Sequence, residues 1–129
     1  MRILILTTRF HPHIGGVENV VENLAEIWAK NNKVSVLTSK RSQGILDIDD
    51  AEIPYQQYKL KRIWMALPRS IGGVIVFPLR VVLSIICLNK YIKEFRPEVL
   101  NIHFLDDISF YAWFAIFLNK NLKVIVNIH

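Results

Sequence analysis

Apolar positions along the chain follow two rhythms that take turns. Arg2 to Thr7, RILILT, is a continuous apolar run rich in Ile and Leu. Such a run predicts a strand buried on both faces, as in a parallel sheet. From Val17 the spacing changes. Val17, Val20, Val21, Leu24, Ala25 and Trp28 recur at helical intervals, and Glu18, Asn19, Glu22, Asn23 and Glu26 fill the other face. This predicts an amphipathic helix with acidic residues in its first turns, where the helix dipole favours them, ending near Asn31-Asn32. KVSVLT, Lys33 to Thr38, returns to a β-branched run. The first forty residues therefore read as a βαβ unit, whose crossover should be right-handed.

The alternation continues. Ser39 to Pro54 is polar and acidic, with DIDDAE inside it, and reads as a surface loop. Gln56 to Ile63, QQYKLKRI, alternates polar and apolar and predicts a third strand at a sheet edge. Leu67 to Val74 contains proline and two glycines and reads as loop. A helix is expected from about Pro78 to Phe95, stopped by Arg96-Pro97. EVLNIHF, Glu98 to Phe104, predicts a fourth strand. DDISFYAWFAIFLNK predicts a strongly apolar core helix with Asp106 or Asp107 as N-cap. LKVIVNIH, Leu122 to His129, predicts a fifth strand. Alternating strands and helices argue for one α/β domain over residues 1–129, a doubly wound parallel sheet with strand order 3-2-1-4-5. Ligands of such sheets bind outside the carboxyl ends of the strands, where the order reverses. That end gathers the Gly15-Gly16 loop, His103 and His129.

Composition narrows the class. With 52% hydrophobic and 21% charged residues, the chain can build a core and is not a disordered segment. Its net charge of +5 favours anionic partners without choosing among them. The single cysteine, Cys87, sits in the apolar run VVLSIICL; it is expected to be buried, and with no disulfide framework the expected compartment is reducing. The apolar core of MRILILTT is too short for a signal peptide. The segment Ile71 to Ile92 is interrupted by Gly72-Gly73, Pro78, Arg80 and Lys90, so a buried helix is expected there rather than a membrane span.

Candidate chemistry concentrates in TRFHPHIGGVE, Thr8 to Glu18. A glycine pair between strand and helix is either a tight turn or a loop whose backbone amides face an anion at a helix N-terminus. The spacing is neither G-x-G-x-x-G nor a Walker loop, which argues against a nicotinamide dehydrogenase or an NTPase. His11, His13 and His103 lack the cysteine or ordered carboxylate spacing of a metal site, so no metal is expected.

These residues resemble a known pattern. MRILILTTRFHPHIGGVENVVENLAEIWAKNNKVSVLT is similar to the amino terminus of family-four glycosyltransferases of the GT-B fold, which open with a strand, F-x-P-x-x-G-G-x-E, a helix and a V-x-V-x-T strand. Phe10, Pro12, Gly15, Gly16 and Glu18 match in register, as do Val34, Val36 and Thr38. RPEVLNIHF resembles the family's later strand, with His103 on the family histidine, and KVIVNIH resembles the strand ending in T-x-H, with His129 on its histidine. The chain departs from the pattern at Asn32-Lys33, where the family has Gly-His, and at Glu98, where it has Asp.

The resemblance implies the acceptor-side, N-terminal half of a retaining glycosyltransferase. Such an enzyme moves a sugar from a nucleotide-sugar to a glycan or lipid-linked acceptor, as in polysaccharide biosynthesis. It implies that Gly15 and Gly16 face the donor diphosphate, that His129 and His103 lie near the sugar and acceptor as catalytic candidates, and that Glu18 fixes the loop or helix start. The nucleotide-sugar is a co-substrate; no catalytic metal, no resident cofactor and no nucleic acid partner is implied. The expected setting is cytoplasmic, with peripheral contact on the inner membrane face through Lys59, Lys61, Arg62, Trp64 and Arg69. That stretch reads equally as an edge strand with a solvated loop. The donor domain with its E-x7-E motif is not in this sequence, so the chain is expected to be truncated and inactive alone. Two alternatives stay open: one subunit of a split two-chain transferase, or a non-enzymatic glycan- or anion-binding module.

Overall fold

The computed structural model describes residues 1–7, 10, 16–39, 57–63, 77–103 and 107–127. Eight elements follow one another: β1 (Arg2–Thr7), α1 (Gly16–Ala29), β2 (Lys33–Ser39), β3 (Lys59–Ile63), α2 (Phe77–Phe95), β4 (Val99–His103), α3 (Asp107–Leu118) and β5 (Lys123–Asn127). All strand pairs are parallel, and the sheet order is β3-β2-β1-β4-β5, as the hydrophobic pattern predicts. β3 is shorter than expected and starts at Lys59, where its pairing with Ser35 of β2 begins. Of the loops expected over Ser39 to Pro54 and Leu67 to Val74, Ser39 belongs to β2 and the rest lies outside the described residues.

Because side chains alternate across a strand, the sheet divides its apolar residues between two cores. One face carries Ile3, Ile5, Val34, Val36 and Val99 against Val21 and Ala25 of α1, with Phe10 and Tyr58 closing the cluster. The other carries Leu4, Leu6, Leu37, Leu100 and Ile102 against Leu88 and Ile92 of α2 and Tyr111, Ala112 and Ala115 of α3. β1 and β4 sit at the centre and bury residues on both faces, which explains why their sequences are unbroken apolar runs. Leu100 is fully buried among these layers. Leu100→Ala is expected to cost about 3 kcal/mol of unfolding free energy, the lost transfer energy plus an unfilled cavity, read from a urea midpoint.

Asparagine ends two of the helices. Asn32 Nδ2 donates to the Trp28 carbonyl at 3.0 Å, and Asn119 Nδ2 donates to the Ala115 carbonyl at 2.9 Å. Each gives a carbonyl of the last turn a side-chain donor, and the Trp28 carbonyl also accepts from the Asn31 amide at 3.2 Å. α2 ends otherwise. Arg96 takes a left-handed backbone, φ 52°, and its amide donates to the Ile92 carbonyl at 2.8 Å before Pro97 blocks any further turn. α2 is also tied across the sheet. The Ser35 hydroxyl donates to the Lys59 carbonyl at 3.3 Å and lies 2.6 Å from the Tyr91 hydroxyl, whose ring stacks on Phe95.

Two expectations about burial are corrected. Cys87 is exposed, not buried. α2 turns Ser84, Leu88 and Ile92 to the sheet, which leaves Cys87 on the outward side with Leu83 and Ile86. α3 is not a core helix on all sides. It docks through Tyr111 and the small residues Ala112 and Ala115, with Ile116 packed against the same core, while Trp113, 74% exposed, and Phe117, 75% exposed, face outward. Ala112 and Ala115 let the helix lie close to the sheet beside Tyr111, and Trp113 and Phe117 turn away. Among the described residues no helix is long and apolar enough to cross a membrane.

Candidate functional site

The strand register brings a row of polar residues to the carboxyl end of the sheet. Thr38 of β2 is in register with Thr7 of β1, Thr7 with His103 of β4, and His103 with Asn127 of β5. In-register neighbours of parallel strands point to the same face, here the α1 face. Arg62 of β3 extends the row, in register with Thr38. Thr7, Thr38 and His103 are fully buried and Arg62 is 9% exposed. Polar residues buried in such a row, at the carboxyl end and beside the switch in strand order, are where this class of sheet recognises ligands.

The β4–β5 end of the row is hydrogen-bonded. Asn127 Nδ2 donates to Asn101 Oδ1 at 2.7 Å and lies 3.2 Å from His103 Nε2. In this orientation the one amide holds both β4 side chains, and His103 Nε2 is the acceptor. Asn101 Nδ2 is buried and has no hydrogen-bond partner among the described residues. Asn127→Leu would strip two buried acceptors of their donor. We expect it to cost about 2 kcal/mol in a denaturant titration, whereas an exposed asparagine such as Asn31 should be nearly neutral.

Gly16 is the first residue of α1, at the same end of the sheet as the row. Among the described residues a Cβ built on it would meet nothing within 4 Å. The fold therefore does not require glycine at this position for packing space. Glu18 follows in the first turn of α1 and is 7% exposed. An acid in the first turn suits the helix dipole. Phe10 explains the aromatic position of the opening motif: it is fully buried in the core, with its ring edge-on to Tyr58 at 6.2 Å between centroids. Burial pushes the Tyr58 phenol well above its ordinary range, and Glu22 and Glu26 add to this. Tyr58 therefore serves as a neutral packing group.

Of the expected site residues, His103 lies in the row and Gly16 opens the helix beside it, while Gly15 and His129 lie outside the described residues, as do His11 and His13. Among the described residues no three His, Cys, Asp or Glu side chains converge as metal ligands. Of the expected lipid-contacting stretch, Lys59 is exposed, Lys61 half-buried and Arg62 nearly buried; Trp64 and Arg69 lie outside the described residues. Sequence reasoning missed Thr7, Asn101, Asn127 and Arg62 as site members. The available signal was that successive strands end in a polar residue after an apolar run.

No protein-family model matches the chain, and no match was found among curated proteins. Among solved structures it is similar to a sucrose-phosphate synthase from Thermosynechococcus elongatus, with a TM-score of 0.58 and 14% identity. The fold is glycosyltransferase-like. The match covers 97% of this chain and 31% of the synthase, so the chain spans about a third of that enzyme's length. At this identity the likeness speaks for the fold alone. The five-stranded parallel sheet is consistent with the Rossmann-like half of a GT-B fold.

Proposed function

We propose that this chain is the acceptor-side half of a retaining glycosyltransferase of the family-four type, acting with a second Rossmann-like domain that holds a nucleotide-sugar. The observation that carries the reading is the coincidence of Gly16, at an open helix start, with the buried polar row at the carboxyl ends of β1, β4 and β5. An open helix N-terminus offers amides to a diphosphate. Hydroxyl, imidazole and amide groups in the row suit a hydroxyl-rich acceptor, since each can donate to or accept from a sugar hydroxyl. In this reading Gly15 and Gly16 meet the donor diphosphate, while His103 and His129 stand near the transferred sugar and the acceptor hydroxyl. His103 is held by Asn127 and so has a fixed ring orientation before any ligand arrives. The acceptor is a glycan or lipid-linked glycan, and the anomeric configuration is kept.

The test is transfer from a radiolabelled nucleotide-sugar. The chain by itself is expected to show no turnover, and an assembly that supplies the donor domain is expected to show transfer that depends on Gly16. Turnover by the chain alone, above a Gly16→Trp control, would refute the division of labour proposed here. Glycan binding without transfer in every assembly would favour a binding module.

A further inference from the structure

Asn101 and His103 stand two residues apart on β4 and so share one face of the sheet, and Asn127 of β5, in register with His103, shares it too. Asn127 Nδ2 lies within hydrogen-bond distance of both, 2.7 Å from Asn101 Oδ1 and 3.2 Å from His103 Nε2. An amide nitrogen brings two hydrogens and accepts nothing. Asn101 Oδ1 takes one of them, and the other is aimed at the ring. Nε2 receives it on its lone pair and therefore carries no hydrogen. The ring is then neutral, with its hydrogen on Nδ1.

Asn101 keeps this arrangement from reversing. If the Asn127 amide alone were turned round, its carbonyl oxygen would face Asn101 Oδ1, two acceptors at 2.7 Å with no hydrogen between them. Only a concerted turn of both amides would let Nε2 carry the hydrogen instead. Asn101 is 1% and His103 0% exposed, so bulk water does not compete for these bonds. The choice of tautomer is thus made by two side chains that belong to neighbouring strands and that the sheet register holds together. A second consequence follows for the chemistry of the ring. A histidine acts as a base through a nitrogen with a free lone pair, and here that lone pair is already engaged by an amide.

We propose that Asn127 is a positioning residue for His103: anchored by Asn101, it holds the imidazole in the neutral form with its hydrogen on Nδ1. The ring then takes part in recognition as a hydrogen-bond donor, suited to the oxygen of a sugar hydroxyl, and does not serve as the base that removes a proton from the acceptor. The consequence for transfer rests on the glycosyltransferase reading; the tautomer does not.

Nitrogen NMR of the full chain, labelled at its histidine nitrogens and recorded at about pH 8, above the ordinary imidazole range, reads the tautomer. The His103 signals are identified by their loss in His103→Gln. Nε2 is expected far downfield, as an unprotonated ring nitrogen, and Nδ1 upfield, as a protonated one. Asn127→Asp is the decisive change. A carboxylate of nearly the same shape accepts but cannot donate, so Nε2 must gain the hydrogen and the two signals should exchange character. Asn127→Ala removes the lock and should give signals averaged between the two forms. In an assembly that supplies the donor domain, Asn127→Asp is expected to lower kcat by about tenfold or more while KM for the nucleotide-sugar stays within about twofold. A hydrogen on Nε2 in the unmodified chain overturns the proposal, as does an Asn127→Asp spectrum that matches the parent's. An exchanged spectrum with unchanged kcat overturns the positioning role. Absence of transfer in every assembly of the unmodified chain tells against the glycosyltransferase reading, and the spectrum still decides the tautomer.

Discussion

Gly16→Val is expected to cut sugar transfer by at least about a hundredfold in an assembly that supplies the donor domain, equivalent to about 2.7 kcal/mol of transition-state stabilisation. The same change is expected to move unfolding free energy by less than about 1 kcal/mol. The contrast follows from where the residue sits. Gly16 opens α1 and is exposed, and among the described residues a Cβ there meets no atom within 4 Å. Valine is no worse than glycine in a helix, so the fold has no reason to resist it. A diphosphate bound against the helix start does have a reason: the two γ-methyls would stand between it and the backbone amides that would hold it. Initial rates and melting temperatures of the two proteins, measured on the same preparations, decide the matter. Parallel losses of activity and stability would mark Gly16 as structural and remove the strongest support for a donor-phosphate role.

The sheet was legible because its signals are local and redundant. RILILT and EVLNIHF are unbroken apolar runs since β1 and β4 are covered on both faces, and the amphipathic spacing of Val17 to Trp28 matches a helix with one face on the sheet. Right-handed crossovers then leave few orders for five parallel strands. The polar row was only half legible. Thr7, Thr38, His103 and Asn127 each look like an ordinary strand end, and they become a site only through their register, which is a property of strand pairs. The outward face of α3 was illegible for a different reason. ISFYAWFAIFL is apolar all round, so periodicity cannot say which side meets the sheet. Packing decides: Ala112 and Ala115 permit close approach beside the buried Tyr111, and Trp113 and Phe117 are left outside. Cys87 was misread on the same ground, since an apolar neighbourhood in sequence does not fix which side of a helix a residue occupies.

The fifth strand carries the other large expected effect. β5 pairs with β4 on one side, and among the described residues no strand pairs with its other side. Its outer residues are apolar on both faces: Ile125 is 48% and Val126 43% exposed. A flat apolar edge with free amides and carbonyls is a template for another chain, and natural edges are usually blunted by a charge, a proline or a bulge. In KVIVN the charge comes only at the first residue, Lys123. The chain is therefore expected to self-associate as its concentration rises, through β5 pairing with β5 of a second copy. Val126→Lys should weaken that association by about tenfold or more, because two copies brought edge to edge would place their lysines together at a cost of several kcal/mol if desolvated. Val126 is the right position, since its side chain is already partly in water and a lysine stem can cover the same apolar surface while its ammonium reaches solvent. Sedimentation across a range of concentrations reads the result directly. A Trp113→Gln/Phe117→Gln change serves as the control: it lies on the helix face, so it should leave edge pairing intact. If the unmodified chain stays a monomer at every concentration, the edge is not available, and β5 is covered by contacts beyond the strand itself. If the helix-face change dissociates the oligomer and Val126→Lys does not, the association runs through α2 and α3, and the edge of the sheet is inert.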